Sequence, residues 1–217
     1  MSNMLLAKDI QAFQDSFIPT IPEETLTTLM SELQGLMANG LKEKALSQNA
    51  TFPAFDLINS RSKSRSLAAF LEKGPLVISF YRGAWCPYCN LEINALQKRL
   101  PEITALGAQL IAISPQTPDK SVDQISNSKL TFEVLSDVGN TLAKTCGLVF
   151  TLPESLRPIY DAWQLDIPDH NGDNSFELPM PATYIIDTDG RIHYAFVDMD
   201  YTQRLEPHII IEQLKKL

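Results

Sequence analysis

Leu76-Val77-Ile78-Ser79-Phe80-Tyr81-Arg82-Gly83-Ala84-Trp85-Cys86-Pro87-Tyr88-Cys89 decides how this chain is read. Leu76 to Tyr81 is a near-continuous apolar run, as expected of a strand covered on both faces. A helix is expected from about Pro87 to Leu100, because Cys89, Ile93, Leu96 and Leu100 share one helical face. Cys86 and Cys89 therefore stand where a buried strand gives way to a helix. With Pro87 as the first helical residue, Cys86 is the cap. Its sulfur is then expected to face the free N–H groups of Tyr88 and Cys89, which favour a thiolate. Cys86 is expected to be the exposed, low-pKa nucleophile. Cys89, one turn further in, is expected to be buried, with the higher pKa.

Such a pair can exchange disulfides. Cys86 attacks a disulfide, and Cys89 then attacks the mixed disulfide and leaves Cys86–Cys89 oxidised. The competing reading of two close cysteines is zinc, which normally wants four ligands. Cys146 is alone, and His170, His193 and His208 are scattered without ligand spacing, so no metal is expected. Cys146 follows Leu142 and Ala143 and reads as a buried structural thiol. Trp85 and Tyr88 either shield the sulfur and receive an apolar substrate or simply pack. Arg82 either lowers the pKa of the thiol or is a solvated charge. Met180-Pro181-Ala182-Thr183 is a second candidate, with Pro181 ahead of a strand and its peptide bond either cis or trans.

Around this centre strands and helices alternate: a weak strand Phe52 to Leu57, a helix Ser66 to Glu72, and strands Gln109 to Ile113 and Phe132 to Leu135. Helices are expected near Asp119 to Ser126 and Asn140 to Cys146. The alternation predicts a sheet with parallel central strands and helices on both faces. Thr183 to Ile186 and Ile192 to Val197, joined through Asp189-Gly190, read as an antiparallel edge hairpin. A helix from Glu206 to Lys216 closes the chain. Phe150 to Pro181, with five prolines, reads as one long irregular segment whose Asp169-to-Asn174 stretch is an exposed loop. Residues 1–50 read as a helical extension. Leu6, Ile10, Phe13 and Phe17 share a face. Thr20-Ile21-Pro22-Glu23 has the pattern of a capping box. Leu26, Leu29, Met30, Leu33, Leu36 and Met37 form a second stripe, and a short third helix is expected from Leu41 to Ser47. These stripes imply packing on the main domain, residues 51–217, or a homodimer contact.

The 217 residues are 44% hydrophobic and 20% charged, enough for a sizeable core. Eighteen basic against 26 acidic residues give a charge of −8, which repels nucleic acid. Nothing approaches a membrane-spanning length. Met1 to Leu6 has no basic leader before an apolar run, so a cytoplasmic location is expected.

Tyr81 to Cys89, together with Pro181 before a strand, resembles the thioredoxin superfamily. Phe52-Pro53-Ala54-Phe55-Asp56-Leu57, Pro75 to Cys89 and Pro181 to Ile192 are most similar to its peroxiredoxin-like branch, the alkyl hydroperoxide reductase and thiol-specific antioxidant group. The resemblance covers Thr51 to Leu217. It implies an α/β thioredoxin-like fold with a central mixed sheet, and a cis Pro181 facing the cysteines. Cys-Pro-Tyr-Cys is also the active-site sequence of glutaredoxins. The peroxiredoxin pattern Pro-x-x-x-Thr-x-x-Cys places its proline on Arg82, its threonine on Cys86 and its peroxidatic cysteine on Cys89. The buried Asp of thioredoxins has no counterpart in Leu76 to Tyr81. The resemblance implies a thiol–disulfide oxidoreductase using Cys86 and Cys89, with substrate contacts from Arg82, Trp85, Tyr88, Met180 and Pro181. Its substrate is a disulfide-bearing protein or a small thiol compound, and a separate reducing partner resets it. A thiol peroxidase and a non-enzymatic iron–sulfur cluster or metal carrier are the rivals.

Overall fold

The computed structural model describes residues 5–217, so the reading of Met1 to Met4 lies outside the described residues. Helices α1 (Leu5–Phe17) and α2 (Glu23–Ala38) precede strands β1 (Asp56–Asn59) and β2 (Ser64–Ser66). Then follow α3 (Leu67–Leu71), β3 (Leu76–Phe80), α4 (Pro87–Ala105), β4 (Gln109–Ser114), α5 (Pro118–Asn127), β5 (Glu133–Ser136) and α6 (Thr141–Thr145). An excursion carries β6 (Val149–Thr151), α7 (Arg157–Ala162), α8 (Ile167–Asn171) and β7 (Glu177–Pro179). The hairpin β8 (Ala182–Ile186) and β9 (Ile192–Val197) and the helix α9 (Pro207–Leu214) end the chain. No described helix is long and apolar enough to cross a membrane.

The main sheet has the order β2-β1-β5-β4-β3-β8-β9. Its centre is parallel, with Ile78 opposite Ile111 and Ile113 opposite Leu135. β8 runs antiparallel to β3 and pairs with β9, giving the expected mixed sheet. All five residues of β3 are buried, because the period of two sends them alternately into two cores. Val77 joins Ile93, Leu96 and Ile103 of α4, Leu6 and Ile10 of α1, and Ile210 of α9. Leu76, Ile78 and Phe80 join Phe52, Phe70, Leu142 and Tyr184 on the other face.

The α1 stripe folds as its spacing implies. Leu6 and Ile10 are buried, and Glu206, which caps α9, accepts the Ala7 N–H at 2.7 Å. Other expectations fail locally. Thr20 lies in a 3-10 turn and donates its hydroxyl to the Phe17 carbonyl, while Pro22 caps α2, so no capping box forms. Leu41 to Ser47 holds only a 3-10 turn, Lys42–Lys44, where a helix was expected. Phe150 to Pro181 is not an irregular loop. Pro158 and Pro168 sit in the first turns of α7 and α8, where the missing N–H costs nothing. Leu152, Leu156, Tyr160, Ile167 and Leu178 give the excursion its own small core. Asn171 is buried, and its side-chain amide donates to the Glu177 carbonyl, so the expected exposed loop is partly packed.

Candidate active site

α4 starts at Pro87 with Cys86 as its cap, as expected from the strand-to-helix position. A network of side-chain amides fixes the segment that delivers it. Gln116 Oε1 accepts the Ala84 N–H at 2.5 Å, and Asn90 donates to the Ala84 carbonyl at 2.7 Å. Gln124 donates to Asn90 and accepts from the buried Tyr81 hydroxyl. Gly83 is required here. Its φ is +148°, and a Cβ would collide with Gln116 Oε1 and the Trp85 ring.

Both sulfurs are fully buried, which corrects the expectation of an exposed Cys86. The source of the thiolate's stabilisation is also corrected, because no helix N–H bonds the cap sulfur. Arg82 does so instead. Its Nη2 donates to Cys86 Sγ at 3.2 Å, its Nη1 donates to the Tyr160 hydroxyl at 3.2 Å, and its guanidinium lies 4.1 Å over the Tyr201 ring. Arg82 is therefore a buried charge, not a solvated one. Burial alone would raise the Cys86 pKa. The Cys89 thiol hydrogen bond and the positive charges of Arg82 and Arg204 outweigh it and hold Cys86 well below the usual thiol range. Cys89 moves the other way, raised by burial, by donating its hydrogen bond to Cys86, and by the neighbouring thiolate.

Arg204 and Glu92 are the residues that the sequence reading passed over. Arg204 donates from Nη2 to Cys89 Sγ at 3.5 Å and from Nη1 to Glu92 Oε2 at 2.6 Å, with both side chains almost wholly buried. Glu92 neutralises Arg204, whereas among the described residues no carboxylate pairs with Arg82. The less compensated and closer cation thus belongs to Cys86, which is why the thiolate settles there. Burial raises the Glu92 carboxyl, and Arg204 restrains the rise. Glu92→Gln removes the counter-charge of a buried guanidinium and should cost about 3–5 kcal/mol of unfolding free energy. Urea denaturation measures it, and a loss below about 1 kcal/mol would show that the pair is not structurally coupled.

Trp85 and Tyr88 flank the cysteines as placed from sequence. Tyr88 packs edge-on against Phe13 of α1 at 5.2 Å and against Tyr201 at 5.6 Å. The second candidate site differs from expectation. Among the described residues there is no cis peptide bond, so Met180–Pro181 is trans. In that form the Met180 N–H reaches the Leu148 carbonyl and the Pro181 carbonyl accepts from Asp198, continuing the pairing around β8. Met180 packs in the opposite-face core with Phe80 and Tyr184, whereas Cys86 and Cys89 belong to the first core. Cys146 lies in that same core with its thiol pushed up to about 12 by burial and by the Asp137 charge, consistent with a structural thiol. Among the described residues no three Cys, His, Asp or Glu side chains cluster as a metal site would.

A family model described as AhpC/TSA family matches residues 49–195. A putative peroxiredoxin bcp of Haemophilus influenzae is 34% identical over 96 residues, 44% of this chain and 61% of that protein. A chloroplastic peroxiredoxin Q of Populus jackii is 26% identical over 165 residues, 76% of this chain and 64% of that protein. The chain thus spans less than two thirds of either relative's length. The thiol-disulfide oxidoreductase ResA of Bacillus thuringiensis is 23% identical over 177 residues, 81% of this chain and 82% of that protein. Among solved structures, peroxidoxin BcpB of Mycobacterium tuberculosis superposes with a TM-score of 0.63 at 20% identity, covering 79% of this chain and 98% of that one.

Proposed function

The chain belongs to the AhpC/TSA family, and on that premise we propose that it is a thiol–disulfide oxidoreductase in which Cys86 is the nucleophile and Cys89 the resolving thiol. The observation that carries this reading is the Arg82 guanidinium 3.2 Å from Cys86 Sγ, with Cys89 one helical turn on. The Cys86 thiolate attacks a disulfide sulfur, forming a mixed disulfide and releasing one thiolate. Cys89 then loses its proton and attacks Cys86 Sγ. Arg204, held by Glu92, stabilises the Cys89 thiolate in that step. The second substrate thiolate leaves, and an external dithiol reduces the Cys86–Cys89 bond. A guanidinium at each sulfur opposes a cationic metal or cluster iron at the pair, so the carrier reading is not favoured.

One observation favours a second reading, hydroperoxide reduction. The peroxidatic cysteine of the family pattern falls on Cys89, which has its own cation in Arg204. With dithiothreitol as donor, the purified protein should reduce bis(2-hydroxyethyl) disulfide above the uncatalysed background and faster than it consumes hydrogen peroxide. Faster peroxide consumption would replace the first reading by the second.

A further inference from the structure

An open groove of about 730 Å³ ends at the side chains that cover the redox pair, with neither sulfur in its lining. That volume suits a small organic ligand. One wall is α1 and α2, which precede the family-matched segment, and the other is the excursion. Phe13 and Phe17 stack at 5.2 Å on the α1 side, Leu29 and Met30 line the α2 side, and Tyr160 and Trp163 face them from α7 and its end. Met30 is 55% exposed, a large apolar side chain left on an open rim. The inner end is made by Arg82, Trp85, Pro87 and Tyr88, the residues that surround Cys86 in sequence.

Charge decides what this groove accepts. Its charged lining residues are Arg82 and Asp200. Arg82 is already engaged by the Cys86 sulfur, the Tyr160 hydroxyl and the Tyr201 ring, and its Nε–H alone has no partner among the described residues. With Cys86 ionised, Arg82 is neutralised and Asp200 leaves the groove net negative. Among the described lining residues no cation remains to hold the carboxylates of a substrate such as glutathione disulfide. Neither sulfur has exposed surface, so every disulfide needs Trp85 or Tyr88 to move aside; a small molecule seated in the groove already touches both, whereas the disulfide of a folded protein does not enter a groove of this volume.

We propose that the substrate is a small, neutral, apolar disulfide whose hydrocarbon groups lie between α1–α2 and the excursion. This rests on the thiol–disulfide reading above and narrows its substrate class. Cys86 S⁻ attacks one sulfur of R–S–S–R. The substrate S–S bond breaks, a Cys86–S–S–R bond forms, and R–S⁻ leaves into the groove and takes the proton of Cys89. Cys89 S⁻ then attacks Cys86 Sγ and expels the second R–S⁻. Two electrons pass from the pair to the substrate, both thiolates take up protons, and an external dithiol restores the pair.

The test compares dibenzyl disulfide with glutathione disulfide, both of which release alkyl thiols. Each rate is divided by its spontaneous rate with dithiothreitol. The expected ratio of kcat/KM is roughly 100-fold in favour of dibenzyl disulfide. Met30→Arg and Leu29→Arg, on the groove wall, should reduce that ratio about tenfold through KM. Benzyl 2-phenylethyl sulfide, which cannot be reduced, should quench wild-type tryptophan fluorescence and do so more weakly in both variants. A ratio near one, or no binding of the sulfide while bis(2-hydroxyethyl) disulfide is turned over, overturns the substrate class alone. Binding of the sulfide with no reduction of any disulfide overturns the oxidoreductase reading and leaves the apolar groove standing.

Discussion

Cys89→Ser should lose turnover by roughly 1,000-fold or more and still consume one equivalent of disulfide, stalling as a mixed disulfide on Cys86. The two sulfurs are equally buried, so their difference in role is electrostatic. Cys86 has Arg82 at 3.2 Å with no competing carboxylate among the described residues, and Cys89 has Arg204 at 3.5 Å with Glu92 already bound to it. The serine hydroxyl can still donate to the Cys86 thiolate in place of the Cys89 thiol, so attack by Cys86 survives, but release of the adduct does not. Intact mass after one equivalent of bis(2-hydroxyethyl) disulfide should therefore show a stable adduct on Cys86 in Cys89→Ser, and almost none in Cys86→Ser. An adduct that forms readily in Cys86→Ser would reverse the assignment of roles.

Arg82→Met should slow alkylation of Cys86 at neutral pH by about 100-fold. The sign follows from which influences remain. Burial raises the Cys86 pKa, and Arg82 is one of the charges that bring it well below the usual thiol range. Without the guanidinium, burial regains weight and the pKa rises. In wild type the thiolate should be fully formed at neutral pH, and the rate should fall only as pH drops through the depressed pKa. In Arg82→Met the rate should keep climbing with pH into the alkaline range. Methionine keeps the stem that fills this buried site, and Arg82→Lys keeps the charge, so Lys should recover part of the neutral-pH rate. Equal pH profiles for wild type and Arg82→Met would remove Arg82 from the chemistry.

The parts of the fold that were legible are those governed by local periodicity. Leu76 to Phe80 had to be a doubly covered strand, and Pro87 had to start a helix, because a run of apolar residues and a proline each allow few conformations. The α1 stripe was legible for the same reason. The excursion is hard to read because a proline-rich stretch looks irregular in sequence whether its prolines end helices or, as Pro158 and Pro168 do, open short ones. The cis Pro181 came from resemblance and not from any local constraint, and the chain satisfies Met180 and Pro181 with a trans bond.

The site was half legible. Cys86, Cys89, Arg82, Trp85 and Tyr88 are contiguous, so one motif delivered them together. Glu92 carried a signal that went unused: a carboxylate three residues after Cys89, one residue before Ile93, on the face that α4 buries. Arg204 carried none. It comes from the segment after β9, and only the folded chain brings it to Cys89. The strand before the motif holds no carboxylate; the helix after it places Glu92 on Arg204, the cation that bonds Cys89.

That Cys86 holds the thiolate is tested most directly by limiting iodoacetamide on the fully reduced wild-type protein at mildly acidic pH, with peptide mapping of all three cysteines. Cys86 should be carbamidomethylated first, with Cys89 and Cys146 spared; labelling of Cys89 ahead of Cys86 would contradict it.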